Sequence, residues 1–322
     1  MKNFSYVKAG SLAAAIKESS NQGAKLHAGG TDLLGCARRE IFPVEKVVSI
    51  SSLKRLKGIS GRPDGGMNIG ALTSLADIAA STPIGEKYGV LAQAAAVVGS
   101  PQIREQATIG GTLCQRPRCW YFRSDLQCRK KGGRTCYAVS GENQYHAIFG
   151  GGPCFFVHPS DVAVALAALQ AQLAIAGPSG TKTVKIADFF ISPKQNIEKE
   201  NVLSSGEIIT EIRIPPVNGI AKSCYRKIMA RRSWDFALTS VAVVLLFEDD
   251  RVRAARIVLG GVGPYPWRVE ESEKLLEGKK LDASAAIAAS EASITGAMPL
   301  KHNAYKLEMV KGAVEESIIA LM

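Results

Sequence analysis

The sequence predicts an α+β fold whose two domains meet near Pro215-Pro216. The chain has 322 residues, which is enough for two or three domains of ordinary size. Before the proline pair, short apolar strands alternate with helical segments; after it come three strand-like segments and then helices. We therefore predict a first domain over 1–216 and a second domain over 217–322.

The first fifty residues predict a small α/β unit that ends before a glycine-rich turn at 58–66. Ser11 is placed to cap its first helix. Its predicted elements are, in order, a helix over 12–19, a strand over 24–27, a helix over 33–39 and a strand over 44–50. We therefore divide the first domain into subdomains at about 1–57 and 58–216.

The rest of the chain combines strands with helices. In the second subdomain the pattern predicts strands over 67–71, 108–113, 173–176, 183–186 and 208–214, and helices ending at Ala80 and over 88–98 and 161–169. After 216 it predicts antiparallel strands over 223–229, 240–247 and 252–259, then helices over 268–276, 283–293 and from about 304 onward. Between 113 and 160 the periodicity is poor, which predicts a long loop.

Composition excludes several protein classes. Hydrophobic residues make up 46% of the chain and charged residues 21%, a globular balance that rules out a disordered chain or a coiled coil. No apolar run reaches the roughly 18 residues of a membrane span, and the N-terminus lacks the apolar core of a signal peptide. We therefore expect a cytoplasmic protein, one that could reach the periplasm only by co-export with a partner.

Two short segments carry paired glycines, Ala28-Gly29-Gly30-Thr31-Asp32 and Thr108-Ile109-Gly110-Gly111-Thr112. Paired glycines let backbone N–H groups approach a phosphate closely, and the flanking threonines add hydroxyl donors. Neither segment matches the Rossmann or P-loop pattern. From the residues alone, each segment is either a phosphate-binding loop or a plain turn.

Cysteine and positive charge are concentrated in one part of the chain. Five of the seven cysteines fall between Cys114 and Cys154, and seven lysine or arginine residues lie between Arg116 and Arg134. Scattered core cysteines would rarely cluster in this way, so the composition favours a metal or cluster site. No C-x-x-C pair is present, which weakens both a zinc ribbon and a ferredoxin-type motif.

The two glycine segments, in this order and at this separation, resemble those of the flavin-binding subunit of the molybdenum hydroxylases, the xanthine dehydrogenase and carbon monoxide dehydrogenase group. The other matching segments are Ile69-Gly70-Ala71-Leu72-Thr73, Ile103-Arg104, His158-Pro159-Ser160-Asp161, Tyr225-Arg226-Lys227 with Arg231, Arg232 and Asp235-Phe236-Ala237, and Gly260-Gly261-Val262-Gly263-Pro264 with Pro266 and Arg268. The resemblance covers nearly the whole chain.

The resemblance implies an FAD-binding domain of the vanillyl-alcohol-oxidase (PCMH) type in two subdomains, followed by an α+β domain of the carbon monoxide dehydrogenase flavoprotein type. The residues it implies for FAD binding are Lys25, Leu26, Ala28, Gly29, Gly30, Thr31, Asp32, Thr108, Gly110, Gly111, Thr112, Asp161 and Lys227. Asp161 would lie near the ribityl chain, or else only cap its helix. Lys227 would lie near the flavin N1/O2 edge, or else be a solvated strand residue.

An insertion of about 40 residues, over about 114–155, contains Gln115-Arg116-x-Arg118-Cys119-x-Tyr121-Phe122-Arg123, Cys128, Cys136 and His146-Ala147-Ile148-Phe149-Gly150. It resembles the branch of 4-hydroxybenzoyl-CoA reductase and the bacterial periplasmic aldehyde oxidoreductase, where it carries a [4Fe–4S] cluster. The resemblance implies Cys119, Cys128 and Cys136 as ligands. Tyr145 stands where the reductase branch has a cysteine, so the fourth ligand must come from elsewhere. We choose Cys154, which follows the flexible Gly150-Gly151-Gly152, and keep Cys114 as the alternative. The basic residues of the insertion would offset the cluster's negative charge. The two remaining cysteines, Cys36 and Cys224, resemble ordinary buried residues.

These observations predict an oxidoreductase subunit that transfers electrons through FAD and [4Fe–4S] and does not itself bind the organic substrate. Its expected partners are a large molybdenum-cofactor subunit, a small subunit with two [2Fe–2S] clusters, and an external electron acceptor or donor. The direction of electron flow stays open, as does the substrate: an aldehyde, an N-heterocycle or hydroxybenzoyl-CoA. One alternative is a stand-alone flavin oxidoreductase. Another is a zinc-stapled nucleic-acid-binding protein, suggested by the net charge of +11 and the aromatic-basic segment 116–123.

Overall fold

The computed structural model describes residues 2–231 and 234–322. Arg232, which belongs to one of the segments that carry the resemblance, lies outside the described residues. The N-terminal unit is a three-stranded parallel sheet in the order β1-β3-β2, covered by two helices. Its elements are β1 (Ser5–Lys8), α1 (Leu12–Ser19), β2 (Ala24–His27), α2 (Leu33–Arg38) and β3 (Lys46–Ser49). The four predicted elements of this unit are present; β1 was not predicted, because its four residues carry no apolar run.

The second unit is a five-stranded antiparallel sheet in the order β4-β5-β8-β6-β7. Its strands are β4 (Ile59–Gly61), β5 (Met67–Gly70), β6 (Gln172–Gly177), β7 (Gly180–Lys185) and β8 (Ile208–Ile214). Its helices are α3 (Leu75–Ala79), α4 (Thr82–Lys87), α5 (Gly89–Ala96), α6 (Pro101–Gln106), α7 (Ile109–Leu113), α8 (Asp161–Ala168) and α9 (Ile186–Phe189). The sheet and helices α3, α5, α7 and α8 share one apolar core.

The predicted strand over 108–113 is wrong, because these residues form helix α7. The Thr108 side chain accepts a hydrogen bond from the Gly111 N–H at 3.1 Å, which caps the helix and begins it at Ile109. The strand-like part is limited to a single bridge between Thr108 and Ser74. The β-branched pair Thr108-Ile109 before two glycines therefore predicted a strand, but the cap that Thr108 forms stabilises a helix instead.

The C-terminal unit is a four-stranded antiparallel sheet in the order β12-β11-β10-β9. Its elements are β9 (Ile220–Ile228), β10 (Thr239–Glu248), β11 (Arg251–Gly260), β12 (Trp267–Arg268), α10 (Glu270–Leu276), α11 (Ala283–Ala292) and α12 (Tyr305–Ile319). The three predicted strands are confirmed. The predicted helix over 268–276 begins two residues later, because Trp267 and Arg268 pair with β11.

Strand β10 is buried on both faces, which explains its continuous apolar sequence. Val241, Val243 and Leu245 pack with α11 and α12 in the core of the C-terminal unit. Ala242 and Val244 point the other way and join the core of the second unit. The C-terminal sheet therefore packs against the second unit, and Pro215-Pro216 lies in the segment that joins β8 to β9.

The segment between α7 and α8 has little regular structure, as its sequence predicts. It contains a 3-10 turn over Arg129–Lys131 and an isolated bridge between Cys128 and Thr135. Across residues 2–231 and 234–322, no helix is both long and apolar enough to cross a membrane.

Candidate functional site

A cavity of about 570 Å³ lies between the N-terminal sheet, the helices of the second unit and strand β9. Both glycine segments line it, and so do Asp161 from α8 and Lys227 from β9. All the residues that the sequence implies for FAD binding lie on its wall: Lys25, Leu26, Ala28, Gly29, Gly30, Thr31, Asp32, Thr108, Gly110, Gly111, Thr112, Asp161 and Lys227. Residues more than two hundred positions apart thus share one cavity of the size that a small ligand or cofactor occupies.

The first glycine segment needs its glycines partly because the two segments touch each other. A Cβ on Gly29 would lie 1.7 Å from the Gln106 carbonyl oxygen, just before the second segment. Gly30 has φ +72°, in the left-handed region, and a Cβ there would lie 2.6 Å from His27 Nε2. Packing of the protein therefore explains Gly29 without a ligand, which the sequence alone did not indicate.

The second glycine segment forms the first turn of α7. A Cβ on Gly110 would lie 2.9 Å from the Ala71 Cβ, so this position is closed by the protein. At Gly111 a Cβ would meet Thr108 Oγ1 at 2.9 Å and no other neighbouring heavy atom of the described chain within 4 Å. Gly111 therefore presents its backbone to the cavity, which is the arrangement expected of a cradle for a ligand.

A buried ion pair lies at the other end of the cavity. Lys227 Nζ lies 2.8 Å from Asp161 Oδ2, and the two side chains are only 2% and 6% exposed. The Tyr225 hydroxyl donates to Asp161 Oδ1 at 2.7 Å, and Lys227 also donates to the Val97 carbonyl at 3.1 Å. Burial raises the pKa of the Asp161 carboxyl, and the Lys227 and Tyr225 hydrogen bonds oppose that rise.

Two of the alternatives left open for this pair, a solvated Lys227 and an Asp161 that only caps its helix, are therefore wrong. Lys227 is a buried residue and not a solvated one. The cap of α8 is Ser160, whose hydroxyl accepts from the Ala163 N–H at 3.2 Å, while the Asp161 carboxylate is used by Lys227 and Tyr225.

The Asp32 carboxylate joins the first glycine segment to the cysteine-rich segment. Its Oδ2 accepts from the Arg116 N–H at 2.7 Å, and its Oδ1 lies 2.7 Å from Arg118 Nη1 and 2.8 Å from Arg123 Nη2. Burial acts to raise the pKa of Asp32, but Arg118 and Arg123 outweigh it and the pKa lies below its ordinary value.

A second acid, the buried Glu200, also forms ion pairs with the cysteine-rich segment. Glu200 lies 2.8 Å from Arg116 Nε and 2.7 Å from Lys130 Nζ. Four of the seven basic residues predicted to offset a cluster's charge, Arg116, Arg118, Arg123 and Lys130, thus pair with Asp32 and Glu200. These ion pairs join the cysteine-rich segment to Asp32 and Glu200, which lie outside it in the first domain.

Four cysteines of this segment line one small cavity of about 10 Å³: Cys119, Cys128, Cys136 and Cys154. The rest of its wall consists of four aromatic residues and two basic ones: Tyr121, Phe122, Tyr137, Phe156, Arg129 and Lys130. Cys136 and Cys154 are in hydrogen-bond contact, which lowers the pKa of the Cys136 thiol and raises that of the Cys154 thiol. The cavity therefore offers four thiols, the number and kind of ligand that a [4Fe–4S] cluster takes, although four irons would require the thiols to move apart.

Cys114 lies elsewhere, on the wall of the 570 Å³ cavity. Burial raises the pKa of its thiol to about 12. The geometry thus favours Cys154 over Cys114 as the fourth thiol of the cysteine cavity. In the described ranges 2–231 and 234–322, no three His, Cys, Asp or Glu side chains are arranged to hold a single metal ion. A cubane makes a different demand, because each of its thiolates binds a separate iron.

The remaining two cysteines are part of the packing. Cys36 is fully buried on α2, and its sulfur accepts from Arg123 Nη1 at 2.9 Å. Cys224 on β9 donates to the Ser317 carbonyl at 3.4 Å.

A third cavity, of about 350 Å³, lies between the other two. Cys119 lines both this cavity and the cysteine cavity, while Asp161 and Phe236 line both this cavity and the large one. His146 also lines it, with Nε2 3.3 Å from Cys119 Sγ, and burial together with Lys306 lowers the pKa of His146 to about 4. Cys119 is thus part of the wall that the two cavities share, and the His146 imidazole contacts it from the side of the 350 Å³ cavity.

Several residues of the site were missed from the sequence. They are Phe42, Val98, Ile103, Gln115, Arg116, Arg118, Leu203, Glu207, Ile208, Ile209, Trp234, Asp235 and Phe236. Six of them did stand in segments that carry the resemblance, so they could have been named: Ile103, Gln115, Arg116, Arg118, Asp235 and Phe236. The others belong to no motif, and their place in the cavity follows from the packing of distant segments.

Comparison with known proteins agrees with this architecture. Residues 2–217 match the family described as the FAD binding domain in molybdopterin dehydrogenase, and residues 224–320 match the CO dehydrogenase flavoprotein C-terminal domain. The chain is 36% identical over 316 residues to the aldehyde oxidoreductase FAD-binding subunit PaoB of Escherichia coli, with 97% of this chain and 96% of the relative covered. It is 29% identical over 280 residues to the glyceraldehyde dehydrogenase medium chain of Sulfolobus acidocaldarius, with 87% and 83% covered.

A solved structure of carbon monoxide dehydrogenase from Hydrogenophaga pseudoflava contains a chain of the same fold. It superposes with a TM-score of 0.78 at 25% identity, over 99% of this chain and 97% of that one. The predicted fold class, an FAD-binding domain followed by a carbon monoxide dehydrogenase flavoprotein C-terminal domain, is therefore confirmed.

Proposed function

Because this chain belongs to the family of FAD-binding subunits of the molybdenum hydroxylases, we propose that it transfers electrons through FAD and a [4Fe–4S] cluster, while the organic substrate binds to a partner subunit. The observation that carries the proposal is the placement of the implied FAD residues on one cavity, beside a second cavity lined by four cysteines.

FAD would be held by backbone and side chains that the structure brings together. At Gly30 and Gly111 the backbone itself lines the cavity, and an added side chain would obstruct it. Thr31 and Thr108 line the cavity beside these glycines. Lys25 supplies a cation near this region; burial and the Arg116 charge lower the pKa of its ammonium. When bound, the flavin supplies exchange between one-electron and two-electron carriers.

Lys227 is suited to stabilise a ligand's negative charge. Its ammonium has three N–H donors, and among the described residues two are used, by Asp161 and the Val97 carbonyl. The third is available to a ligand in the cavity. Asp161 keeps the Lys227 charge in place, and Tyr225 keeps Asp161 in place, so the cation is rigidly positioned before the cofactor binds.

We assign the cluster to Cys119, Cys128, Cys136 and Cys154. The shared cavity supports this set, and the location of Cys114 on the wall of the large cavity argues against the alternative. The aromatic side chains of the wall would limit the access of water to the cluster, and the basic residues Arg129 and Lys130 would offset part of its charge. The ion pairs of Asp32 and Glu200 would hold the ligand-bearing segment in place.

The relatives suggest the rest of the complex. The two most informative ones are named as a subunit of an aldehyde oxidoreductase and the medium chain of a glyceraldehyde dehydrogenase. We therefore propose an aldehyde as the substrate of the complex, oxidised on a large molybdenum-cofactor subunit. A small subunit with two [2Fe–2S] clusters would pass electrons to this chain, which would deliver them to an external acceptor in the cytoplasm.

A second candidate is a stand-alone flavin oxidoreductase. The cavity of about 350 Å³ that adjoins the large cavity favours it, because that space could admit a small substrate next to a flavin. Oxidation of an organic substrate by the isolated chain would support this second candidate, and its absence would support the electron-transfer subunit.

The visible spectrum of the purified chain tests the cofactor content. We expect flavin bands, a broad absorbance near ~400 nm, and about four irons per chain, as one cubane requires. Flavin bands without iron would leave the FAD assignment in place and remove the cluster. A colourless protein that contains zinc would contradict both and restore the nucleic-acid-binding alternative.

A further inference from the structure

Asp32 occupies an unusual position between the two proposed sites. It is the last residue of the first glycine segment, it lines the 570 Å³ cavity, and it immediately precedes α2. Yet both of its carboxylate oxygens are engaged by the cysteine-rich segment, which lies 84 to 91 positions further along the chain. Its side chain is 16% exposed, so these contacts are largely shielded from solvent.

The contacts of Asp32 continue to the first cysteine of the cluster set through Arg123. The Arg123 guanidinium donates to Asp32, to the Pro117 carbonyl at 2.8 Å and to the Arg116 carbonyl at 3.0 Å. Its backbone N–H donates to the Cys119 carbonyl at 2.9 Å. Arg123 therefore closes the turn that carries Cys119. The carboxylate that balances the charge of Arg123 belongs to Asp32, on the wall of the 570 Å³ cavity.

We propose that Asp32 is a positioning residue that couples flavin binding to the order of segment 116–131, so that each stabilises the other. The inference rests on the proposed function, since it takes FAD as the ligand of the large cavity. It assigns Asp32 a role toward the cysteine-rich segment in addition to its place on the cavity wall.

Two physical features make the coupling substantial. Arg118 and Arg123 are 28% and 11% exposed, and loss of the Asp32 charge would leave two partly buried guanidiniums without their acid partner. The Arg116 N–H also hydrogen-bonds Asp32 Oδ2 at 2.7 Å, so the start of the segment is tied directly to the glycine segment. A ligand that fixes the glycine segment must therefore restrict the segment that contains Cys119.

Thermodynamic linkage makes the coupling reciprocal. If flavin stabilises the closed form of segment 116–131 by a given factor, the closed segment must raise flavin affinity by the same factor. We expect a coupling of about tenfold, within the range of about 5- to 150-fold that is typical of linked sites.

Hydrogen exchange of the full-length chain tests this directly. The chain is stripped of flavin, and the exchange of amides in 116–131 is measured with and without added FAD, alongside an FAD titration. In the wild type we expect FAD to slow exchange in this segment about tenfold. The variant Asp32→Asn keeps the shape and loses the charge; we expect it to bind FAD about tenfold more weakly and to lose the FAD-dependent protection.

Asp125→Asn is the matched control, because Asp125 lies exposed in the same segment; its binding and protection should equal those of the wild type. A merely structural role of Asp32 would speed exchange equally with and without FAD, so the decisive quantity is the difference between the two states. Should Asp32→Asn fail to fold, the wild-type comparison and the milder Arg118→Gln variant decide the question.

The outcomes separate this inference from the proposed function. If the wild type binds FAD but segment 116–131 exchanges at an unchanged rate, the coupling is wrong and the flavin assignment stands. The coupling is equally wrong if Asp32→Asn binds FAD as tightly as the wild type with full protection. If the wild type does not bind FAD at all, both proposals are removed.

Discussion

Replacing Gly111 by valine should abolish FAD retention and leave the sheets intact. The Gly111 N–H donates to Thr108 Oγ1, and a Cβ at this position would lie 2.9 Å from that oxygen. A branched side chain would displace the cap of α7 and extend into the cavity. We expect FAD binding to weaken at least about 100-fold, equivalent to about 2.7 kcal/mol. The flavin-to-protein ratio after gel filtration measures the loss, and circular dichroism reports the fold.

Gly30→Val should have the same effect through the first glycine segment, where valine would also be strained at φ +72°. The matched control is Gly61→Val. Gly61 lies in strand β4, away from the cavity, and no heavy atom of the described chain comes within 4 Å of a Cβ placed there. Full flavin occupancy in both Gly30→Val and Gly111→Val would remove the assignment of these segments to the cofactor.

Replacing Cys154 by serine should eliminate the iron–sulfur cluster, whereas Cys114→Ser should retain it. Cys154 lines the same cavity as the other three proposed ligands, and Cys114 does not. Serine keeps the size of the side chain but removes the thiolate that iron prefers. We expect iron to fall from about four atoms per chain to near zero, with loss of the broad absorbance. Serine at Cys119, Cys128 or Cys136 should act in the same way.

Cys224→Ser is the matched control, because Cys224 lies on β9 and hydrogen-bonds the Ser317 carbonyl, far from the cysteine cavity. Cys36 is a less suitable control, since its sulfur contacts Arg123. Loss of iron in Cys114→Ser together with retention in Cys154→Ser would reverse the choice of the fourth ligand.

The sequence predicted those parts of the fold that local patterns determine. Strand β10 is a continuous apolar run, and the antiparallel strands around it were found because a turn at 248–250 separates two such runs. Ser11 was identified as the cap of α1 because a serine before a helical segment can be recognised locally, and its hydroxyl accepts from the Ala14 N–H. The helix α7 was missed because Thr-Ile before Gly-Gly resembles a strand until the Thr108 side chain is seen to cap it.

The candidate site was predictable as a set of motifs but not as a set of contacts. The glycine segments could be named from the sequence. The lack of space for a Cβ at Gly29, however, is caused by Gln106, which lies 77 positions further along the chain. The ion pairs of Asp32 with Arg118 and Arg123 join distant segments, so no spacing rule reveals them. In the same way, spacing left Cys114 and Cys154 both open, and only the packed chain places them in different cavities.

Turnover by the isolated chain tests most directly whether this protein carries electrons without binding an organic substrate. The FAD-loaded single chain is assayed with aldehydes and purines and an artificial electron acceptor, beside the complex obtained by co-expression with the products of the neighbouring genes. We predict no measurable oxidation by the single chain, and aldehyde oxidation by a complex that contains a molybdenum subunit and a [2Fe–2S] subunit. Appreciable turnover by the single chain would contradict this and establish it as a stand-alone flavin oxidoreductase.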